Sequence, residues 1–144
     1  RRLLIMAVIA FLLMFILMYA MIDVLGNLYV NLNQFYMAGL MTGPMVLLEL
    51  ILMRSMYTNR RWNALIVAAS LIASLTFFVF IRQQVGVSDR EFLRSMIPHH
   101  ASAILMCESA SVQDPQIVAL CDDILSSQQE QIDQMKAKLA ELSR

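Results

Sequence analysis

Leu3 to Ile22 reads LLIMAVIAFLLMFILMYAMI, twenty residues without a charge. At about 1.5 Å per residue, a helix of that length crosses the roughly 30 Å of hydrocarbon in a bilayer. Two more runs follow: Gln34–Met53, whose one charge is Glu49, and Trp62–Ile81, which has none. A single run of this kind fits a buried helix of a soluble protein. Three in succession with almost no polar face do not, and in lipid a helix satisfies its own backbone. The first run is too long for a signal-peptide core of about 7–15 residues and lacks a small-residue cleavage site after it, so it reads as a retained span. The composition agrees: 59% of the 144 residues are hydrophobic and 15% charged, well above the apolar share of an ordinary soluble domain.

Arginine placement orients the spans. Arg1 and Arg2 precede the first, the loop Asp23–Asn33 has no Lys or Arg, and the next loop carries Arg54, Arg60 and Arg61. The N-terminus and second loop are therefore expected in the cytoplasm, and everything after Arg82 outside it. Tyr19, Tyr29, Tyr36, Tyr57 and Trp62 fall near the span ends, as an interfacial aromatic belt does. Two domains follow, 1–84 in the membrane and 85–144 beyond it. The first has six basic and two acidic residues, net +4; the second five and nine, net −4. A mildly acidic outer domain is no nucleic-acid binder, and the membrane part's partner is lipid.

Within the spans, Gly39-Leu40-Met41-Thr42-Gly43 is a G-x-x-x-G strip, and Ala69/Ala73 and Ser70/Ser74 share its spacing. Such strips let backbones approach closely in lipid, either between spans two and three or between two copies of span two. Pro44 should kink the second span. Glu49, an ionisable group inside that span, is expected to hydrogen-bond a neighbour or pair with Arg54, or else to meet a partner subunit or serve a proton path. Met14, Met18 and Met21, and Met37, Met41 and Met45, form helical strips that read as flexible core filler, with a thioether path delivering Cu(I) as the alternative.

After Val85-Gly86-Val87, Ser88-Asp89-Arg90-Glu91 reads as a capping box, opening a helix from Asp89 to about Ser111. Asp114-Pro115 opens another that runs to about Leu142. A short turn makes the two antiparallel. His99 and His100, the only histidines, share one side of the first helix with Phe92, Met96, Met106 and Cys107. Pairing the helices about a turn near Gln113 sets the histidines opposite Gln128, Met96 opposite Gln131, Phe92 opposite Met135, and Cys107 near Cys121. Nitrogen and sulfur donors on one face suit a soft transition metal, while satisfied core histidines are the bland alternative. Pro98, immediately before the pair, either is a tolerated kink or re-aims the two rings. The cysteines would form a disulfide or supply thiolates.

Phe92-Leu93-Arg94-Ser95-Met96-Ile97-Pro98-His99-His100, with Ala103-Ile104, Met106, Ile124, Gln128-Gln129-Glu130-Gln131-Ile132 and Met135, resembles the bacterial domain-of-unknown-function family numbered 305. The resemblance covers roughly residues 89–142. Phe35-Tyr36-Met37 and Met56-Tyr57-Thr58-Asn59-Arg60 also look like the three-span leader of a membrane-bound branch. It implies a ferritin-like helical bundle and, from some periplasmic members, copper binding through His and Met side chains. Carried over by position, the ligands are Met96, His99, His100, Met106 and Met135; Gln128, Cys107 and Cys121 are further candidates. Many members have two helical hairpins where this chain has one.

The expected protein is therefore all-α: three transmembrane helices followed by an extracytoplasmic antiparallel hairpin, half of a ferritin-like four-helix bundle. It would sit in the bacterial cytoplasmic membrane and hold or transfer copper at its outer face. The competing expectation is a structural accessory subunit of a larger membrane complex, with the hairpin as its docking element. No enzyme is expected, because the chain has no Ser-His-Asp set, no phosphate loop and no Glu-x-x-His pairs of a di-iron bundle. A hairpin of about 55 residues buries little core alone, so a homodimer or docking onto a larger complex is expected.

Overall fold

The computed structural model describes residues 2–143; Arg1, one of the two basic residues leading the first span, lies outside them. The described chain is all helix: α1 (Arg2–Leu17), α2 (Leu32–Leu52), α3 (Arg60–Gln83), α4 (Asp89–Ser109) and α5 (Pro115–Glu141), with two short 3-10 turns, Met18–Met21 and Leu25–Asn27, between α1 and α2. Arg2–Met21, Leu32–Leu52 and Arg60–Gln83 are long and apolar enough to cross a membrane. Contacts divide the chain into two units. One holds the residues up to Met18 together with Asn33–Gly86; the other holds Tyr19–Leu32 and the residues from Val87 onward.

In the first unit the small-residue strip joins α2 to α3. A Cβ on Gly39 would overlap the Phe77 ring. One on Gly43 would overlap the Ser74 hydroxyl and stand 3.1 Å from the Ser70 carbonyl oxygen. Only glycine leaves room for this approach, and the gain in lipid is dispersion between close backbones. Gly43→Val is accordingly expected to destabilise this unit by about 1–3 kcal/mol, the usual cost of overpacking. Thermal unfolding in detergent checks it, and a melting point equal to that of the lipid-facing control Leu71→Val would contradict it. The helix α2 runs unbroken through Pro44. Met37, Met41 and Met45 do not fill a core: all three are exposed, on the side of α2 turned from the Gly39–Gly43 contact. Asn59 caps α3, accepting from the backbone of Arg61 and Trp62 at 3.1 Å each. At its other end Gln84 adopts the left-handed conformation, φ 49°, and its side-chain amide exchanges two 3.0 Å hydrogen bonds with that of Asn33.

The second unit is built on α4 and α5. Ile97, Ala101 and Ile104 recur at helical spacing along α4 and meet Ile132 and Leu139 of α5, with Leu93, Leu125 and Met135 packed around them. Burying an Ile or Leu side chain stabilises by roughly 1.5–3 kcal/mol. The first loop joins this core, since Ile22 and Tyr29 pack against it. The expected α-helical end of span one is instead 3-10 from Met18 to Met21, a common tightening of a last turn. It turns Tyr19 inward, where the hydroxyl donates to the Tyr29 carbonyl at 3.1 Å.

Ser88 caps α4 by accepting from Glu91 N at 3.5 Å, but the reciprocal half of the capping box is absent. The Glu91 carboxylate instead accepts from Leu32 N at 3.3 Å and from Arg94 at 3.2 Å. Leu32 opens α2, and a first-turn amide has no acceptor within its own helix, so the carboxylate serves it in place of the Ser88 amide. The helix ends at Ser109, two residues earlier than its pattern suggested. Asp114 caps α5, accepting from Gln116 N at 2.8 Å and Ile117 N at 3.3 Å, with Pro115 in the first turn.

Candidate functional site: a groove between two helices

Cys107 and Cys121 are joined by a disulfide, with Cα atoms 5.3 Å apart. Farther along, His100 meets Gln131, and Arg90 donates to Ser143 Oγ at 2.9 Å. Contacts that move up one helix as they move down the other make α4 and α5 antiparallel. With both cysteines in the bond, neither offers a thiolate, so Cys107 and Cys121 leave the set of candidate ligands.

Beside His100 lies an open groove of about 350 Å³, lined by Phe92, Leu93, Met96 and His100 of α4 and Gln131, Gln134, Met135 and Lys138 of α5. Three of the five expected ligands, Met96, His100 and Met135, thus share one groove. The buried neighbours Ile97 and Ala101 hold that side of α4 against α5, and His100 is itself only 9% exposed. His99, about 100° further round the helix, is exposed. The two imidazole centroids stand 6.1 Å apart with planes 62° apart. Met106 is 59% exposed and outside the groove. The single donor face expected on α4 is therefore split: His100 and Met96 turn toward α5, and His99 and Met106 turn away.

Hydrogen bonding fixes the His100 ring. Its Nδ1 lies 2.9 Å from the Met96 carbonyl oxygen and its Nε2 2.7 Å from Gln131 Oε1. A carbonyl only accepts, so Nδ1 carries a hydrogen. In the neutral ring Nε2 is then the lone-pair nitrogen, and the end of the Gln131 amide facing it must be the NH2, since amide O and N are assigned by their partners. A lone-pair Nε2 behind an Nδ1–H···O=C bond is how a metal-binding imidazole is commonly oriented. Gln131 is exposed on its outer side and is the only hydrogen-bond partner of that nitrogen among the described residues.

Pro98 supplies no N–H to the Arg94 carbonyl, yet α4 continues through it. Ser102 Oγ donates to the Pro98 carbonyl at 2.9 Å. Gln128, expected opposite the histidines, does not line the groove. Glu49 is half-buried on α2 and forms no ion pair with Arg54 or any other described residue. Gln134 and Lys138 were not anticipated at the site; both lie on the α5 face that carries Gln131 and Met135, one turn apart, and Lys138 is held by Glu141 at 2.8 Å.

The profile of a family described as "Domain of unknown function (DUF305)" matches residues 52–139, more than half of the chain. The chain belongs to this family. The match begins at the end of α2 and so takes in α3 as well as α4 and most of α5. An uncharacterized protein of Acanthamoeba polyphaga mimivirus is 36% identical over 119 residues, which cover 81% of this chain and 76% of that relative. No solved structure matches the chain.

Proposed function

We propose that the groove between α4 and α5 is a Cu(I) site, and that this member of the family holds or hands over copper at the outer face of a bacterial cytoplasmic membrane. The observation that carries the reading is the meeting of Met96, His100 and Met135 in one groove, with the His100 ring oriented by the Met96 carbonyl. One imidazole and two thioethers form a soft, low-coordinate donor set, which Cu(I) accepts. Zinc usually requires four Cys, His or carboxylate ligands. Copper would supply no catalysis here; it is the cargo. Gln131 would give up His100 Nε2 as the ion enters, and its exposed position suits a displaceable cover. His99 and Met106 are then outer donors that a second helix pair, completing a ferritin-like bundle, would bring into play.

The test is Cu(I) titration of the full chain in detergent. Wild type is expected to bind about one ion per chain, and His100→Ala to abolish binding while circular dichroism stays helical. Met96→Leu should weaken Cu(I) more than Cu(II). His99→Ala alone should cost far less. Undiminished copper in the double variant His99→Ala/His100→Ala would overturn the site.

One observation favours a second reading. Both nitrogens of His100 are satisfied within the protein, which is all that a structural clasp between two helices needs. In that case the chain is an accessory subunit, His100→Ala lowers stability without a metal effect, and foreign subunits co-purify in fixed ratio.

A further inference from the structure

The arginine-bearing end of the first unit holds two adjoining cavities. One, of about 370 Å³, opens at the turn between α2 and α3, beside Thr58, Asn59, Asn63 and the rings of Tyr57 and Trp62. The other, of about 400 Å³, is lined by Leu4 and Ala7 of α1, Gly43 of α2, and Ala69, Ser70 and Ala73 of α3. Leu3 and Ile66 line both, so the cavities meet there. From Asn63 to Ala73 they follow α3 for about 15 Å, half of the roughly 30 Å of hydrocarbon in a bilayer. Polarity falls along this path. The amides of Asn59 and Asn63 stand at the turn, whereas beyond Ile66 the walls are aliphatic or small, and Thr42 turns its hydroxyl back to the Ala38 carbonyl at 2.7 Å. Arg54, Arg60 and Arg61 are exposed at the same turn, and none pairs with a carboxylate among the described residues. No Asp or Glu occurs between Leu50 and Ser88.

We propose that this trough seats one anionic phospholipid, with an acyl chain along α3 beside α1 and the phosphate at the arginines of the turn. Length, polarity and charge select the occupant together. The trough is as deep as one leaflet, which is the reach of one acyl chain. Its walls change from aliphatic to amide where a lipid changes from chain to ester and headgroup, and Tyr57 and Trp62 mark that level as interfacial rings do. The uncompensated arginines then favour a negative headgroup, because a guanidinium pairs with phosphate through two parallel hydrogen bonds. An apolar helix in the trough would leave those charges unmet, and a water-soluble anion has no use for the apolar part. Ala69, Ser70 and Ala73 keep the trough open by being small. The site does not depend on copper.

The test is native mass spectrometry of the full chain in detergent, with phosphatidylglycerol or phosphatidylcholine of the same acyl chains added. Wild type is expected to keep a single phosphatidylglycerol under activation that strips phosphatidylcholine. The double variant Arg60→Gln/Arg61→Gln should lower that preference by about fivefold per arginine at low salt. Ala69→Leu and Ala73→Leu fill the trough, and each should release the lipid. Leu75→Phe, 64% exposed on the opposite side of α3, should not. Phosphatidylglycerol with short acyl chains should be held no better than phosphatidylcholine. Equal retention of the two long-chain lipids by wild type would overturn the anionic seat. Undiminished retention in both alanine variants, equal loss in Leu75→Phe, or full retention of the short-chain lipid would overturn the trough. The arginine variant changes only exposed side chains, so the headgroup arm remains decisive even where a filled trough fails to fold.

Discussion

Ile132→Ala is expected to destabilise the unit built on α4 and α5 by about 2–5 kcal/mol, the range for removing a buried large aliphatic side chain. Ile132 is fully buried, as is Ile97 opposite it on α4. The core around them is small, with five buried residues and a few half-buried neighbours, so little can collapse into the cavity. A unit of this size has a total stability of the same order, and the substitution should leave it largely open. Hydrogen exchange of α4 and α5 peptides in the detergent-solubilised chain measures this without interference from the membrane helices. Gln129→Ala, on the exposed side of α5, should stay within about 0.5 kcal/mol of wild type. Equal protection in the two variants would show that the α4–α5 core does not carry the stability assigned to it.

The all-helical architecture was legible because its signals are strong and local. Long uncharged runs mark the three membrane-length helices, and Ser88, Asp114 and Pro115 mark where α4 and α5 begin. The small-residue strip was legible as a close-contact surface, but its partner was not, since Gly39 and Gly43 carry no side chain that selects one. Phe77 and Ser74 settle that contact within the chain. The role of the first loop was not legible. Ile22 reads as the end of the first apolar run and Tyr29 as part of the aromatic belt, and nothing local shows that they will pack against α4 and α5 or that Leu32 will draw Glu91 away from its own cap.

The site was legible in composition and less so in register. Pairing α4 with α5 about Gln113 set Cys107 near Cys121 correctly, but set His100 against Gln128 where the structure has Gln131. The cause is physical. Helical side chains lean toward the N-terminus of their own helix, and in an antiparallel pair the two leans add. Short cysteines report the backbone register; longer side chains reach past it. The offset is a turn at His100–Gln131 and grows for the long Arg90, which reaches Ser143. Helical angle alone also put His99 and His100 on one face. The α4 core, centred on Ile97, Ala101 and Ile104, divides them, because adjacent helical positions straddle the edge of a buried strip about as often as they share it.

Replacing both Cys107 and Cys121 by serine is expected to lower the stability of the α4–α5 pair by about 3 kcal/mol, as for the loss of a cross-link closing a loop of about 15 residues. The bond lies where the pair is otherwise weakest. Every buried member of the core is on the far side of it from the connecting turn, and Ile117, Val118 and Leu120 of the first turns of α5 are exposed. Without the bond those turns have little apolar burial to hold them against α4. Exchange should therefore accelerate by roughly 100-fold, first in residues 104–124 and less at the core around Ile132. Reducing wild type with a dithiol should reproduce the effect, and the double serine variant should not respond to the dithiol. Wild type and variant with the same exchange under non-reducing conditions would show that the cross-link adds nothing to the folded pair. A loss confined to the turn, with His100 and Gln131 still protected, would mean that the core alone holds the groove together, and that the groove can keep its donors in place whether or not the bond is formed.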